Sequence, residues 1–244
     1  MPLTEKQLRA RDAKRDLGTE LLAAVRDMKA GRGAVVGRFP TLTKKTSEAK
    51  TKPTPRVVVF AGPNGAGKST HADAILAKLG IDTFVNADFI ARGLSGRNTD
   101  AVAFKAGRIM LKRLRQLAGS KADFAFESTL SSRTFALFLR TLKTQGYAVV
   151  IYYFALGSAQ LAVRRVKLRV SLGGHHVPSG VIRRRFGRSL SNFFTLYLTL
   201  ADEWTLFDNS SKGKARQVAA QTADQLTITE IMTWQKLQKL RKTF

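Results

Sequence analysis

Apolar and polar positions along this chain fall into repeating blocks. From Arg56 onward, short β-branched or aromatic runs alternate with stretches in which apolar residues recur at helical spacing. The runs Arg56 to Ala61, Thr83 to Ala87, Phe124 to Phe126, Tyr147 to Phe154 and Trp204 to Phe207 predict strands. Between and after them, Lys68 to Leu79, Asp100 to Leu117, Ser131 to Gln145, Ser158 to Leu172 and Ser179 to Leu200 predict helices. Such alternation implies βαβ units, hence an α/β fold with a parallel sheet flanked by helices. Ligands of such sheets sit at the carboxyl ends of the strands, so the residues just after each strand are the ones to read for chemistry.

The first strand ends in Gly62-Pro63-Asn64-Gly65-Ala66-Gly67-Lys68-Ser69-Thr70, which contains the phosphate-binding pattern G-x-x-x-x-G-K-[ST] in the required setting of strand before and helix after. Gly62, Gly65 and Gly67 let the backbone curl so that successive N–H groups face a triphosphate. Lys68 is placed to reach the β- and γ-phosphates of ATP, and the Ser69 hydroxyl to bind Mg²⁺. After the second strand comes Asp88, and after the third Glu127. Two carboxylates beside a phosphate loop repel the ligand unless Mg²⁺ or a substrate hydroxyl lies between. A kinase needs such a pair: one to orient and deprotonate an acceptor hydroxyl, the other to help hold the metal or its water. Helix capping is the competing explanation for each.

Net charge is +25, from 42 Lys and Arg against 17 Asp and Glu, which points to anionic partners. Gln160 to Leu190 holds Arg164, Arg165, Lys167, Arg169, Arg183, Arg184, Arg185 and Arg188 and no acidic residue. Arg165 and Arg169 lie one helical turn apart and could face the same phosphoryl group; Arg184 and Arg185 are weaker candidates. Cysteine is absent, which excludes disulfides and thiolate metal sites and fits a reducing cytoplasm. No apolar run reaches membrane-spanning length, so no membrane partner is expected. His175 and His176 lack companions at zinc spacing, which argues against a structural metal.

Residues 1–55 read as a basic, helical extension and linker, and 56–244 as the main domain. Asp16 to Lys29 carries Leu17, Leu21, Val25 and Met28 on one helical face, and Thr41 to Pro55 is polar and lysine-rich. Phe193, Phe194, Leu196, Tyr197 and Leu200 read as the core face of a helix; Ala223 to Phe244 reads as an amphipathic helix with Ile231, Trp234, Leu237 and Leu240 toward the body.

Together the phosphate loop, Asn86-Ala87-Asp88, Phe126-Glu127-Ser128-Thr129-Leu130, and the arginine-rich region with Gly173-Gly174-His175-His176-Val177-Pro178 resemble the zeta toxin family over about Arg56 to Asn209. The resemblance implies a nucleotide-kinase-like fold and ATP-dependent phosphorylation of a sugar hydroxyl of UDP-N-acetylglucosamine, poisoning cell-wall precursor synthesis. It further implies Asp88 as the base on that hydroxyl, Glu127 as the acidic active-site residue, and Thr129 as a substrate contact. Separately, Arg15 to Val36 resembles the amino-terminal part of small antitoxins, so an antitoxin protein, or inhibition by residues 1–55, is an expected partner interaction. A polynucleotide kinase or another small-molecule P-loop kinase is an alternative, as is an ATP-binding, nucleic-acid-associated regulatory module. Two well-placed carboxylates count against the last, since a mere binder needs no acceptor base.

Overall fold

A computed structural model describes residues 54–95, 99–174, 176–211, 213–222 and 225–243. The amphipathic stretch and linker expected before residue 54, and His175, lie outside the described residues. Strand β1 (Arg56–Ala61) is central because its residues are apolar on both faces: Val57, Val59 and Ala61 enter one core, Val58 and Phe60 the other. It pairs in parallel with β3 (Phe124–Ser128) and β4 (Ala148–Ala155). β2 (Phe84–Val85) adds to β3, and β5 (Glu203–Asp208) to β4, again in parallel.

The sheet continues with two antiparallel strands, β6 (Arg216–Gln221) and β7 (Leu226–Ile228), in the order β2-β3-β1-β4-β5-β6-β7. Neither had been expected. Leu226 to Ile228 falls within the long carboxyl-terminal helix that the apolar spacing predicts; cross-strand pairing to Ala219, Ala220 and Gln221 wins there, and the helix starts only at Ile231. In that helix Trp234 stacks on Trp204 at 5.9 Å and Leu237 is buried, but Ile231 is 60% exposed, contrary to the inward position expected.

Helices α1 (Lys68–Leu79), α2 (Ala87–Ser95), α3 (Thr99–Gly119), α4 (Thr134–Thr144), α5 (Ala159–Ser171), α6 (Ser179–Asn192) and α7 (Ile231–Leu240) complete the described fold. Two differences from the sequence reading bear on the site. The second strand stops at Val85, because the Asn86 side chain accepts a hydrogen bond from the Asp88 N–H at 2.7 Å and turns the chain into α2. The expected helix to Leu200 breaks after Asn192 into a π-helical turn, Phe193–Tyr197, whose aromatic residues still fill the core. Among the described residues no helix is long and apolar enough to cross a membrane.

Candidate active site

Strands β1, β3 and β4 run in one direction, so their carboxyl ends bring the phosphate loop, Glu127 and the start of α5 to the same edge of the sheet. Gly62 takes φ +133, and a β-carbon there would stand 2.2 Å from the Phe154 carbonyl oxygen, so only glycine lets the loop leave β1 beside β4. Asn209, after β5, donates to the Ala66 carbonyl at 2.8 Å and ties the loop to the far strand.

Lys68 is buried, and its ammonium donates to the Pro63 carbonyl at 3.1 Å and pairs with Glu127 at 3.3 Å. The other Glu127 oxygen accepts from the Ser69 hydroxyl at 2.5 Å and from the Asn86 amide at 2.9 Å. Glu127 thus lies inside β3 and bonds the phosphate-loop side chains, so it caps no helix. Asp88 sits in the first turn of α2, with Asn86 performing the capping; the Asp88 carboxylate has no hydrogen-bonding or ionic partner among the described residues.

Two cavities meet here. One, of about 580 Å³, is bordered by Gly65, Gly67, Ser69, Thr70, His71 and Arg165. The other, of about 660 Å³, is bordered by Asn64, Asn86, Asp88, Thr129, Arg108 and Arg185, with further residues of α3 and the loop after β3. Lys68, Glu127 and Arg169 border both. A group passing from one cavity to the other therefore crosses a seam made of two cations and a carboxylate. Arg165, one turn before Arg169 on α5, donates to the carbonyls of Ser210 and Ser211 at 3.2 and 3.3 Å and so braces the loop after β5 against the first cavity. Arg184 is exposed and borders neither cavity. The His71 ring stacks on Phe154 at 5.0 Å, beneath the start of α1.

The loop after β3 is held from below. Leu130 has φ +52, uncommon for a leucine, and its carbonyl accepts from Asn192 at 2.8 Å. The Tyr197 hydroxyl donates to the Ser132 carbonyl at 2.8 Å. Burial pushes the Tyr197 phenol up to about 12, and pushes that of Tyr153, which is hydrogen-bonded to Ser189, higher still. Both stay protonated, as the Tyr197 hydroxyl must to donate to the Ser132 carbonyl.

Comparison with known proteins adds the family. The model of the zeta toxin family matches residues 40–215. This chain belongs to the zeta toxin family. Solved structures agree on the fold. A chain of the AvrRxo1-ORF1:ORF2 complex with ATP superposes with a TM-score of 0.63 at 17% identity over 75% of this chain and 63% of that one. The present chain thus spans less than two thirds of that relative's length. The PezAT toxin–antitoxin system of Streptococcus pneumoniae gives a TM-score of 0.55 at 15% identity, over 79% and 86% of the two chains. An uncharacterized protein of Haemophilus influenzae is 26% identical over 135 residues, 54% of this chain and 92% of its own length.

Within this zeta toxin fold, sequence reasoning missed Asn86, Arg108 and the helix-capping side of the second strand. Asn86 had left a signal: an Asn directly after a strand and two residues before an Asp is a helix-start pattern. Nothing in the spacing could have brought Arg108, on the outer helix α3, into the same cavity as Asp88.

Proposed function

We propose that this protein is an ATP-dependent phosphotransferase of the zeta toxin type that moves the γ-phosphate of ATP onto a sugar hydroxyl of UDP-N-acetylglucosamine, and that an antitoxin restrains it. One observation carries the reading: a nucleotide-sized cavity over the phosphate loop and a second cavity bordered by Asp88, whose carboxylate has no partner among the described residues, share the walls Lys68, Glu127 and Arg169. The pneumococcal neighbour's toxin–antitoxin setting supports the antitoxin.

In this mechanism the loop from Gly62 to Thr70 cradles the triphosphate, and Lys68 exchanges its Pro63 and Glu127 partners for phosphate oxygens. Asp88 takes the proton of the acceptor hydroxyl; the new oxygen–phosphorus bond forms as the bond to the β-phosphate oxygen breaks, and ADP leaves. Arg169 at the seam stabilises charge on the moving phosphoryl group. Asn64 contributes a second acceptor: its Oδ1 is buried beside the same cavity without a hydrogen-bond partner among the described residues, and a substrate hydroxyl or amide would satisfy it. Thr129, hydrogen-bonded to Ser131 at 2.9 Å, adds a hydroxyl to that wall.

The donor set fits Mg²⁺. Ser69 Oγ and Glu127 Oε2 lie together at the loop, and no cluster of three or more His, Cys, Asp or Glu able to hold a metal occurs among the described residues. Two protein oxygens with phosphate and water completing the shell is the way magnesium usually binds beside a nucleotide. Once bound it would neutralise charge between the β- and γ-phosphates.

The decisive test offers purified protein labelled ATP with UDP-sugars, nucleosides and oligonucleotides. Asp88→Asn should lower phosphoryl transfer by about 10²- to 10⁴-fold, the range for a positioned general base, with ATP affinity nearly unchanged. Normal turnover by that variant would remove Asp88 from the chemistry. Labelling of oligonucleotides alone would replace the sugar acceptor with a nucleic-acid end.

A further inference from the structure

One wall of the acceptor cavity is a face of α3. Phe104, Gly107, Arg108 and Leu111 follow one another at spacings of three and four, so they share that face. Two features of it are unexplained by folding. Phe104 is 81% exposed although it borders a cavity, and its ring meets no other aromatic ring among the described residues. Gly107 lies inside a helix, where glycine is less stable than alanine. Yet a β-carbon at Gly107 would meet nothing within 4 Å, so no neighbour demands its smallness. An exposed ring next to a bare stretch of helix, with a guanidinium one turn on, is a flat apolar shelf with a cation at its edge. Rings of nucleobases stack on such aromatics largely regardless of sequence, and an arginine alongside suits the phosphate that follows the ribose.

We propose that α3 reads the nucleoside end of the acceptor: Phe104 stacks on its base, Gly107 leaves space for that ring, and Arg108 holds the adjoining diphosphate. This rests on the acceptor assignment above and deepens it, because it makes Phe104 and Gly107 selective for a nucleoside diphosphate over a sugar phosphate without a base. No role in proton transfer is implied.

Calorimetry on the full chain, with the ATP cavity filled by a non-hydrolysable ATP analogue, tests this with UDP and with inorganic pyrophosphate as probes. Phe104→Ala should weaken UDP binding about tenfold, within the range of single base–aromatic stacks, and leave pyrophosphate binding unchanged. Phe104→Tyr should restore UDP affinity. Gly107→Val should weaken UDP selectively, whereas Arg108→Ala should weaken both probes. With UDP-N-acetylglucosamine as substrate, Phe104→Ala should raise KM and spare kcat. Since Phe104 is exposed, unchanged thermal melting serves as the folding control.

Equal UDP affinity in Phe104→Ala and the parent protein overturns the platform, even if UDP-N-acetylglucosamine is phosphorylated. Phe104-dependent UDP binding without sugar phosphorylation keeps the platform and discards the sugar. Failure of the parent protein to bind UDP, ADP, CDP or GDP in the acceptor cavity also overturns the platform.

Discussion

The nucleotide cavity takes about half of its wall from one local run, Gly65 to His71, and the rest from Glu127, α5 and the segment after β5, whose Asn209 bonds the loop directly. The acceptor cavity draws its walls from more elements: the phosphate loop, α2, α3, β3 and the loop after it, α4, α5 and α6. Phosphate is the same in every nucleotide, so a backbone nest serves it wherever it occurs. Acceptors differ, and a wall of side chains from separate elements can change one residue at a time without disturbing the sheet. Glu127 belongs to both constructions: it is fixed by strand register opposite Phe60, and it bonds Ser69 on one side and Asn86 on the other.

The largest blow to the nucleotide side should come from Gly62→Ala. Its added carbon would press on a strand carbonyl that cannot rotate away, and its positive φ is unfavourable for alanine. The expected loss is roughly 2–5 kcal/mol of stability together with loss of ATP binding, read by thermal melting and nucleotide titration. A variant that melts normally and binds ATP would show that the loop reshapes freely, erasing the contrast with the acceptor side.

The same contrast explains what could be read without coordinates. The loop, its strand and α1 were legible because one local motif specifies them, and α1 runs from Lys68 to Leu79 as expected. Asp88 and Glu127 are expected just after strands; both border the second cavity, but Glu127 lies inside β3 and Asp88 in the first turn of α2. Their supporting partners were not. Asn86 acts through bonds to residues 2 and 41 positions away, and Arg108 through the packing of α3 against α2. Strand β7 escaped because Leu226 to Ile228 is too short to show period-two alternation beside a helical segment, and β6 because its buried residues, Val218 and Ala219, are adjacent instead of alternating.

A smaller effect, confined to the acceptor side, is expected from Asn86→Ala. The change removes the cap on α2 and one hydrogen bond to Glu127, at a cost of roughly 1–3 kcal/mol. With Asp88 less firmly placed, kcat should fall about ten- to a hundredfold while ATP affinity holds. Asn86→Asp separates the two roles: it can still cap α2 but sets a second carboxylate against Glu127. If Asn86→Asp matches the parent protein, the bond to Glu127 is irrelevant and only the cap matters.

Tyr197→Phe should be milder still, because the ring remains in the core and only its bond to Ser132 is lost. About 1 kcal/mol of stability and a few-fold rise in acceptor KM are expected, with ATP affinity unaltered. The phenol supplies a second readout. Its pKa rises from 10.0 unfolded to about 12 folded, so the folded protein holds the proton more tightly. Its stabilisation is therefore complete below pH 10 and is lost as the pH climbs through about 12. Melting curves between these pH values should fall less steeply for Tyr197→Phe than for the parent, while buried Tyr153 keeps some alkaline dependence in both. An identical alkaline slope, with an unchanged acceptor KM, would mean that the loop after β3 is held by Asn192 alone and that the acceptor wall is less dependent on distant side chains than its geometry implies.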